Sequence, residues 1–154
     1  MQKRSLTTPR TDDLQLTRVS NESGFQIAVL PSGSVYSLEH VQQGRRIMVN
    51  RSFGSPVAGS MGRWYLRLGG SEPVMLPVAG AEARCRIGAT ADCFLWEGEV
   101  SGVAHRVALQ LQADRNIWRW LVQVRNQRDE PLACDALLIP VSYTHLTLPT
   151  TPYV

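Results

Sequence analysis

The sequence predicts an all-β protein built as an antiparallel β-sandwich. Three observations predict it. Residues 93–126 contain three runs of strict period-two alternation separated by turn signals, and alternate residues of a strand point to opposite faces. No window sustains the 3.6-residue period of an amphipathic helix. Turn residues recur along the whole chain at intervals of about ten residues, the spacing of short sandwich strands.

Taken in order, residues 1–13 are polar and read as a flexible start, followed by one domain over 14–140. Leu14, Leu16 and Arg18 open a first alternating stretch. Phe25, Ile27 and Val29 share one side of a strand, with Gln26 and Ala28 on the other. Pro31-Ser32-Gly33-Ser34 is a turn with Gly33 suited to positive φ. Val35 to His40 returns as the second arm of a hairpin, with Tyr36, Leu38 and His40 expected on one side. Ile47 to Asn50 is a short strand end, and Arg51 to Arg63 is rich in Gly and Ser and reads as a long loop. Trp64, Leu66 and Leu68 alternate with Tyr65 and Arg67. Pro73 and Pro77 bracket Val74 to Leu76 as an edge or connector. Ala83 to Ile87 reads as a strand. In the meander that follows, Phe94, Trp96, Gly98 and Val100, then His105, Val107, Leu109 and Leu111, then Trp118, Trp120, Val122 and Val124 form the expected core side. Ser101-Gly102 and Asp114-Arg115-Asn116 are the turns. Ala133 to Ile139 is the last strand.

The chain has 154 residues, enough for one domain with a real core. Its 16 basic and 13 acidic residues give a net charge of +3. They are dispersed, with no basic helix or nucleic-acid motif, which argues against nucleic acid as partner. No apolar run of about 18 residues predicts a membrane span. The charged first residues lack the apolar stretch of a secretory signal. Three cysteines (Cys85, Cys93 and Cys134) form no CxxC pair, which fits reduced, mostly buried thiols in a cytoplasmic protein.

No constellation of residues announces catalysis. Glu97 and Glu99 share a strand face about 7 Å apart, within the range used by glycosidases, but a solvated outer face explains them better. Asp129 and Glu130 sit in a surface turn. Gly54–Gly62 lacks the spacing and the Lys-Ser/Thr end of a nucleotide loop. It fits better as a sandwich loop reaching toward a neighbouring domain or subunit. Trp118 and Trp120 share parity with Val122 and Val124, which assigns them to the core; a sugar-stacking platform is the alternative. His40 and His105 have no third ligand, so no metal is expected. Cys93 and Cys134 read as small buried hydrophobes.

The segments GFQIAVLPSGSVYSLEH (24–40), IMVN (47–50), FGSPVAGSMGRWYLRL (53–68), WEGEVSGVAHRVALQL (96–111) and WRWLVQVRN (118–126) together resemble the amino-terminal β-sandwich of glycoside hydrolase family 94 phosphorylases. The likeness is to 1,2-β-oligoglucan phosphorylases, with the related segment of cyclic β-1,2-glucan synthases behind them. It runs from about Leu14 to Pro140. It departs at His40-Val-Gln-Gln-Gly-Arg-Arg46, where the family pattern has a Gly-Asp-Ile-type step soon after the His. The resemblance implies a non-catalytic domain of a cytoplasmic enzyme. Its partner would be a carboxy-terminal (α/α)6 catalytic domain, its substrate a β-glucan oligosaccharide, and its co-substrate inorganic phosphate, with no cofactor and with homodimers open. Such an enzyme cleaves a β-glucosidic bond by inverting phosphorolysis: an acid protonates the leaving oxygen, and phosphate stands where a hydrolase holds water. No catalytic residue of that reaction is carried over to these 154 residues. The resemblance implies that the loop at 54–62 helps shape the cleft or dimer contacts, with Arg51 and Arg63 as its polar arms and the candidate substrate-binding residues. A self-standing carbohydrate-binding or protein-interaction sandwich is the alternative.

The last residues, 141–154, read VSYTHLTLPTTPYV. They resemble a translated transposase mosaic-end adapter: the codons GTC TCT TAT ACA CAT CTG ACG CTG CCG ACG spell Val141 to Thr150. On that reading the tail is non-native, the gene continues past Pro140, and Tyr143 and His145 have no role.

Overall fold

The computed structural model describes residues 15–51, 62–69 and 71–139. Eleven antiparallel strands lie in these residues: β1 (Thr17–Ser20), β2 (Phe25–Val29), β3 (Val35–Gln42), β4 (Arg45–Arg51), β5 (Arg63–Leu68), β6 (Val74–Ala79), β7 (Arg86–Ala89), β8 (Cys93–Val100), β9 (Val103–Leu111), β10 (Trp118–Asn126) and β11 (Cys134–Ile139). The described residues contain no helix, and so none long and apolar enough to cross a membrane. The expected all-β sandwich is what is found. The expected flexible start and the tail over 141–154, with Tyr143 and His145, lie outside the described residues, as do 52–61 of the loop expected over Arg51–Arg63; Arg51 and Arg63 themselves belong to β4 and β5.

The strands form three sheets, ordered β1-β2-β3-β4, β10-β9-β8-β7 and β11-β5-β6. One core joins them. Phe25, Ile27, Val29 and Leu38 come from the first sheet; Phe94, Trp96, Val107 and Leu109 from the second; Leu66, Leu68 and Val78 from the third. Burial of these large apolar side chains is the main stabilising term, each contributing roughly 1.5–3 kcal/mol.

Turn chemistry fixes the hairpins. Ser101 and Gly102 have φ of 52° and 72° and join Val100 to its partner Val103. Two successive positive φ values make the type I′ turn whose twist matches paired strands. Gln43 and Gly44, with φ of 51° and 74°, make the same turn between Gln42 and Arg45. This second hairpin is longer than expected: β3 runs past His40, and the strand foreseen at Ile47 begins at Arg45. At the β2–β3 turn Gly33 has φ of 86°, and its carbonyl accepts a 3.0 Å hydrogen bond from the Trp96 indole. A Cβ at Gly33 would come within 2.8 Å of Ile87 Cδ1, so the turn is pressed against the neighbouring sheet.

The expected common side for Tyr36, Leu38 and His40 is corrected by a β-bulge. The pairing passes from Ala28↔Ser37 to Val29↔Val35, so Tyr36 is an extra residue. A bulge shifts the parity of one strand against the other. Leu38 therefore joins the main core, and Tyr36 packs with Ala28, Leu30 and Leu16 in a second cluster.

The strand expected from Ala83 is placed slightly later, at β7. Val74 to Leu76 belongs to β6, an edge strand as its prolines require. In β1, Val19 supplies the buried side chain; Leu14 lies outside the described residues.

Candidate functional site

The corner where β5 begins holds two successive residues whose donors are buried and unpaired among the described residues, Arg63 and Trp64. Gly62 is buried with φ of 66°, and a Cβ there would lie 2.6 Å from Cζ2 of Trp120. The backbone thus crosses the Trp120 ring. Trp64 follows, on the same side of β5 as Leu66 and Leu68. Its ring meets Trp120 edge-on at 6.0 Å, and Trp120 in turn lies 5.7 Å from Trp96. Three indoles from β5, β10 and β8 form a continuous aromatic row, each pair in a range that stabilises beyond area burial alone.

Two donors at this corner are buried without an acceptor among the described residues: Trp64 Nε1 and Arg63 Nε. A buried donor left unpaired costs about 1–3 kcal/mol; the two lie on opposite faces of β5, Trp64 toward the core and Arg63 toward Tyr65 and Glu82. Arg63 uses Nη1 on Glu82 at 3.3 Å, and the Tyr65 hydroxyl donates to the same carboxylate at 2.9 Å. Burial, then the Glu82 hydrogen bond, push the Tyr65 phenol up. Among the described residues the corner's one carboxylate, Glu82, is exposed and already engaged by two donors.

Of the two candidate residues, Arg63 is at this corner. Arg51 ends β4, and its side chain lies outside the described residues. Of Gly54–Gly62, Gly62 is described. The pair Glu97 and Glu99 lies on the outer face, as the solvated reading holds. Glu97 is held by Arg86 at 3.0 Å and Arg106 at 3.2 Å. Asp129 and Glu130 are exposed.

Trp118 and Trp120 divide. Trp120 packs against the core. Trp118 stacks on Phe25 with centroids 5.6 Å apart, yet it is 40% exposed; its assignment to the core is corrected. The cause is position: β10 is the end strand of its sheet, and the opposite layer covers it incompletely.

All three cysteines are free. Cys85 and Cys93 are half-buried, whereas Cys134 is exposed on β11, which corrects its reading as a buried hydrophobe. Burial pushes all three thiols up, away from reactive thiolate. The His40 ring bonds the Ser23 carbonyl at 3.0 Å through Nε2. His105 is buried over Gly98, with neither ring nitrogen hydrogen-bonded. Among the described residues no three of His, Cys, Asp and Glu come together as a metal site.

Sequence reasoning passed over Glu39. It is 2% exposed, and Ser37 Oγ donates to its Oε1 at 2.6 Å. A Ser-x-Glu spacing on a strand carries no distinctive signal, and only the burial of both faces of β3 exposes it.

The model of a family described as the SOGP N-terminal domain matches residues 28–139. No curated protein matches the chain.

Proposed function

Because the chain belongs to the SOGP N-terminal domain family, we propose that it is the non-catalytic amino-terminal domain of a cytoplasmic carbohydrate phosphorylase. The parent enzyme cleaves β-1,2-glucosidic bonds of oligoglucans with inorganic phosphate and inversion, and its catalytic acid lies in a carboxy-terminal (α/α)6 domain. The observation that carries this reading is the family match, which spans most of the described strands under a description that makes the module an N-terminal domain. The likeness of segments 24–68 and 96–126 to family 94 phosphorylases adds the reaction class.

The test is the parent reading frame, recovered from the genomic locus and expressed whole. It should release glucose 1-phosphate from β-1,2-glucan oligosaccharides only when phosphate is supplied. Release of free glucose without phosphate, or no turnover of any β-glucan, overturns the proposal.

A second reading, a carbohydrate-binding module in its own right, is favoured by the unpaired donor Trp64 Nε1 in the indole row. Titration of the isolated chain with the same oligosaccharides separates the two. Under the first reading tryptophan fluorescence stays flat. Under the second it shifts, and Trp64→Phe, which keeps an aromatic side chain and removes the donor, weakens the response at least tenfold.

A further inference from the structure

We infer that the free edge of β10 is a docking site for an extended segment of a partner polypeptide whose acidic residues alternate with apolar ones. This rests on the edge itself and not on the reaction proposed above.

Nine consecutive residues of β10 pair in register with β9 on one side, and no strand among the described residues pairs with the other side. Of the devices that protect an edge, the strand carries only the outer-row charges Arg119 and Arg125; it has no proline, no bulge and no inward-pointing charge. Its inner row is Trp118, Trp120, Val122 and Val124. Trp118 and Val124 are 40% and 42% exposed, so the row awaits further apolar cover. Its outer row is Arg119, Leu121, Gln123 and Arg125. Neither arginine forms an ion pair among the described residues; Arg119 donates to Gln110 at 3.1 Å.

The same sheet shows what such a row pairs with. On β8, Glu97 stands between Arg86 of β7 and Arg106 of β9, which are its register partners, and bonds both. Basic strands flank an acidic one. Beyond β10 the equivalent neighbour is another acidic strand. Arg119 and Arg125 are six positions apart, roughly 20 Å along a strand. The fitting segment therefore has two acids at that spacing on its outward row and apolar residues at the three inward positions between them. Main-chain pairing supplies affinity and the alternate side chains supply selectivity, as in other strand additions.

Residues 1–154 do not supply that segment. Residues 96–100 have the alternation, but all of them already pair with β9, and Trp96 and Glu97 pair with β7 as well. Residues 52–61 and 141–154 contain no acid, and the acids of 1–14 are the adjacent Asp12 and Asp13. A second copy is disfavoured: antiparallel β10–β10 pairing centred on Val122 sets Arg119 opposite Arg125 twice, and like charges directly opposite repel.

The test uses the full chain with two synthetic peptides, Glu-Val-Thr-Val-Thr-Val-Glu and its counterpart with Lys in place of Glu. Titrations are followed by tryptophan fluorescence and by amide hydrogen exchange. The acidic peptide should bind at least tenfold more tightly and protect amides within 118–126. The double variant Arg119→Glu/Arg125→Glu, altered at two exposed positions and checked for an unchanged urea midpoint, should invert the preference. Equal binding of the two peptides, or binding of neither, overturns the inference. So does a dimer by light scattering whose β10 amides are protected before any peptide is added, since the occupant would then be a second copy.

Discussion

β8 and β10 flank the same strand, carry the same alternation and end up in different environments. Trp96 on β8 is fully buried, and its indole N–H is satisfied by Gly33 across the core. Trp118 on β10 points to the same side of the sheet, touches Phe25 and remains 40% exposed. Parity decides which face a side chain takes. Whether that face is covered depends on how far the opposite layer extends, and that layer is made of residues distant in sequence. Trp96→Ala should sharpen the contrast most. It removes a whole buried ring and strands the Gly33 carbonyl, and should cost about 3–5 kcal/mol. Trp118→Ala loses one stacked contact and part of a half-covered surface, and should cost about 1–2 kcal/mol. Urea unfolding of both variants measures the difference. Equal losses would show that β10 is as well packed as β8 and would break the comparison.

Gly33 tests how tightly the well-covered side is held. Gly33→Ala meets a positive φ, Ile87 at 2.8 Å and the Trp96 indole nitrogen at 3.0 Å from the new Cβ. The expected cost is about 1–3 kcal/mol, read as a lowered urea midpoint. Gly44, with a similar φ but nothing within 4 Å of its Cβ position, supplies the control: Gly44→Ala should cost only about 1 kcal/mol, the backbone share alone. Similar midpoints for the two would mean that the β2–β3 turn is not pressed against the second sheet.

The contrast also shows what could be read in advance. The alternation of 93–126 located β8, β9 and β10 and their faces, because a two-residue period survives any tertiary context that keeps the strand. The Ser101-Gly102 turn was legible for the same local reason. Tyr36 was not: a bulge is set by the register between two strands, and no local pattern marks the extra residue. Nor was the exposure of Trp118 and Cys134, which depends on the reach of another layer. The corner at Arg63 was half legible. A Gly-rich approach with an arginine drew attention to it, but the Glu82 partner and the Trp64–Trp120 contact arise only when β5 folds back on β6 and meets β10. The buried Glu39 had no signal at all.

His105 lies on the covered side of β9, opposite Val124 of the open strand. Burial pulls its pKa below the ordinary 6.5, so the folded protein holds the ring neutral while the unfolded chain takes up a proton at the ordinary value. The unfolded state binds more protons between the two values, and stability falls as pH drops below about 6.5 toward the lowered folded value. His105→Leu should flatten that part of the profile. Unfolding free energies measured between about pH 7 and 5 for both proteins give the difference. Parallel profiles would mean that water reaches the ring, and so that the cover over β9 is no better than that over β10.

The smallest effect concerns the outer face. Glu97→Gln removes the carboxylate that Arg86 and Arg106 share, but the two arginine side chains are 82% and 52% exposed. Exposed pairs contribute about 0–1 kcal/mol, and the loss should vanish in about 1 M salt, where the screening length is about 3 Å. A larger, salt-insensitive loss would mean that the outer face of β8 is covered too. What the triad does add is register: moving β9 one residue along β8 sends every core side chain to the solvent face and parts Glu97 from Arg106. Charge on this sheet therefore discriminates among strand partners more than it holds them. That is why the uncompensated arginines of β10 matter despite their small energies: they say which strand belongs beside it.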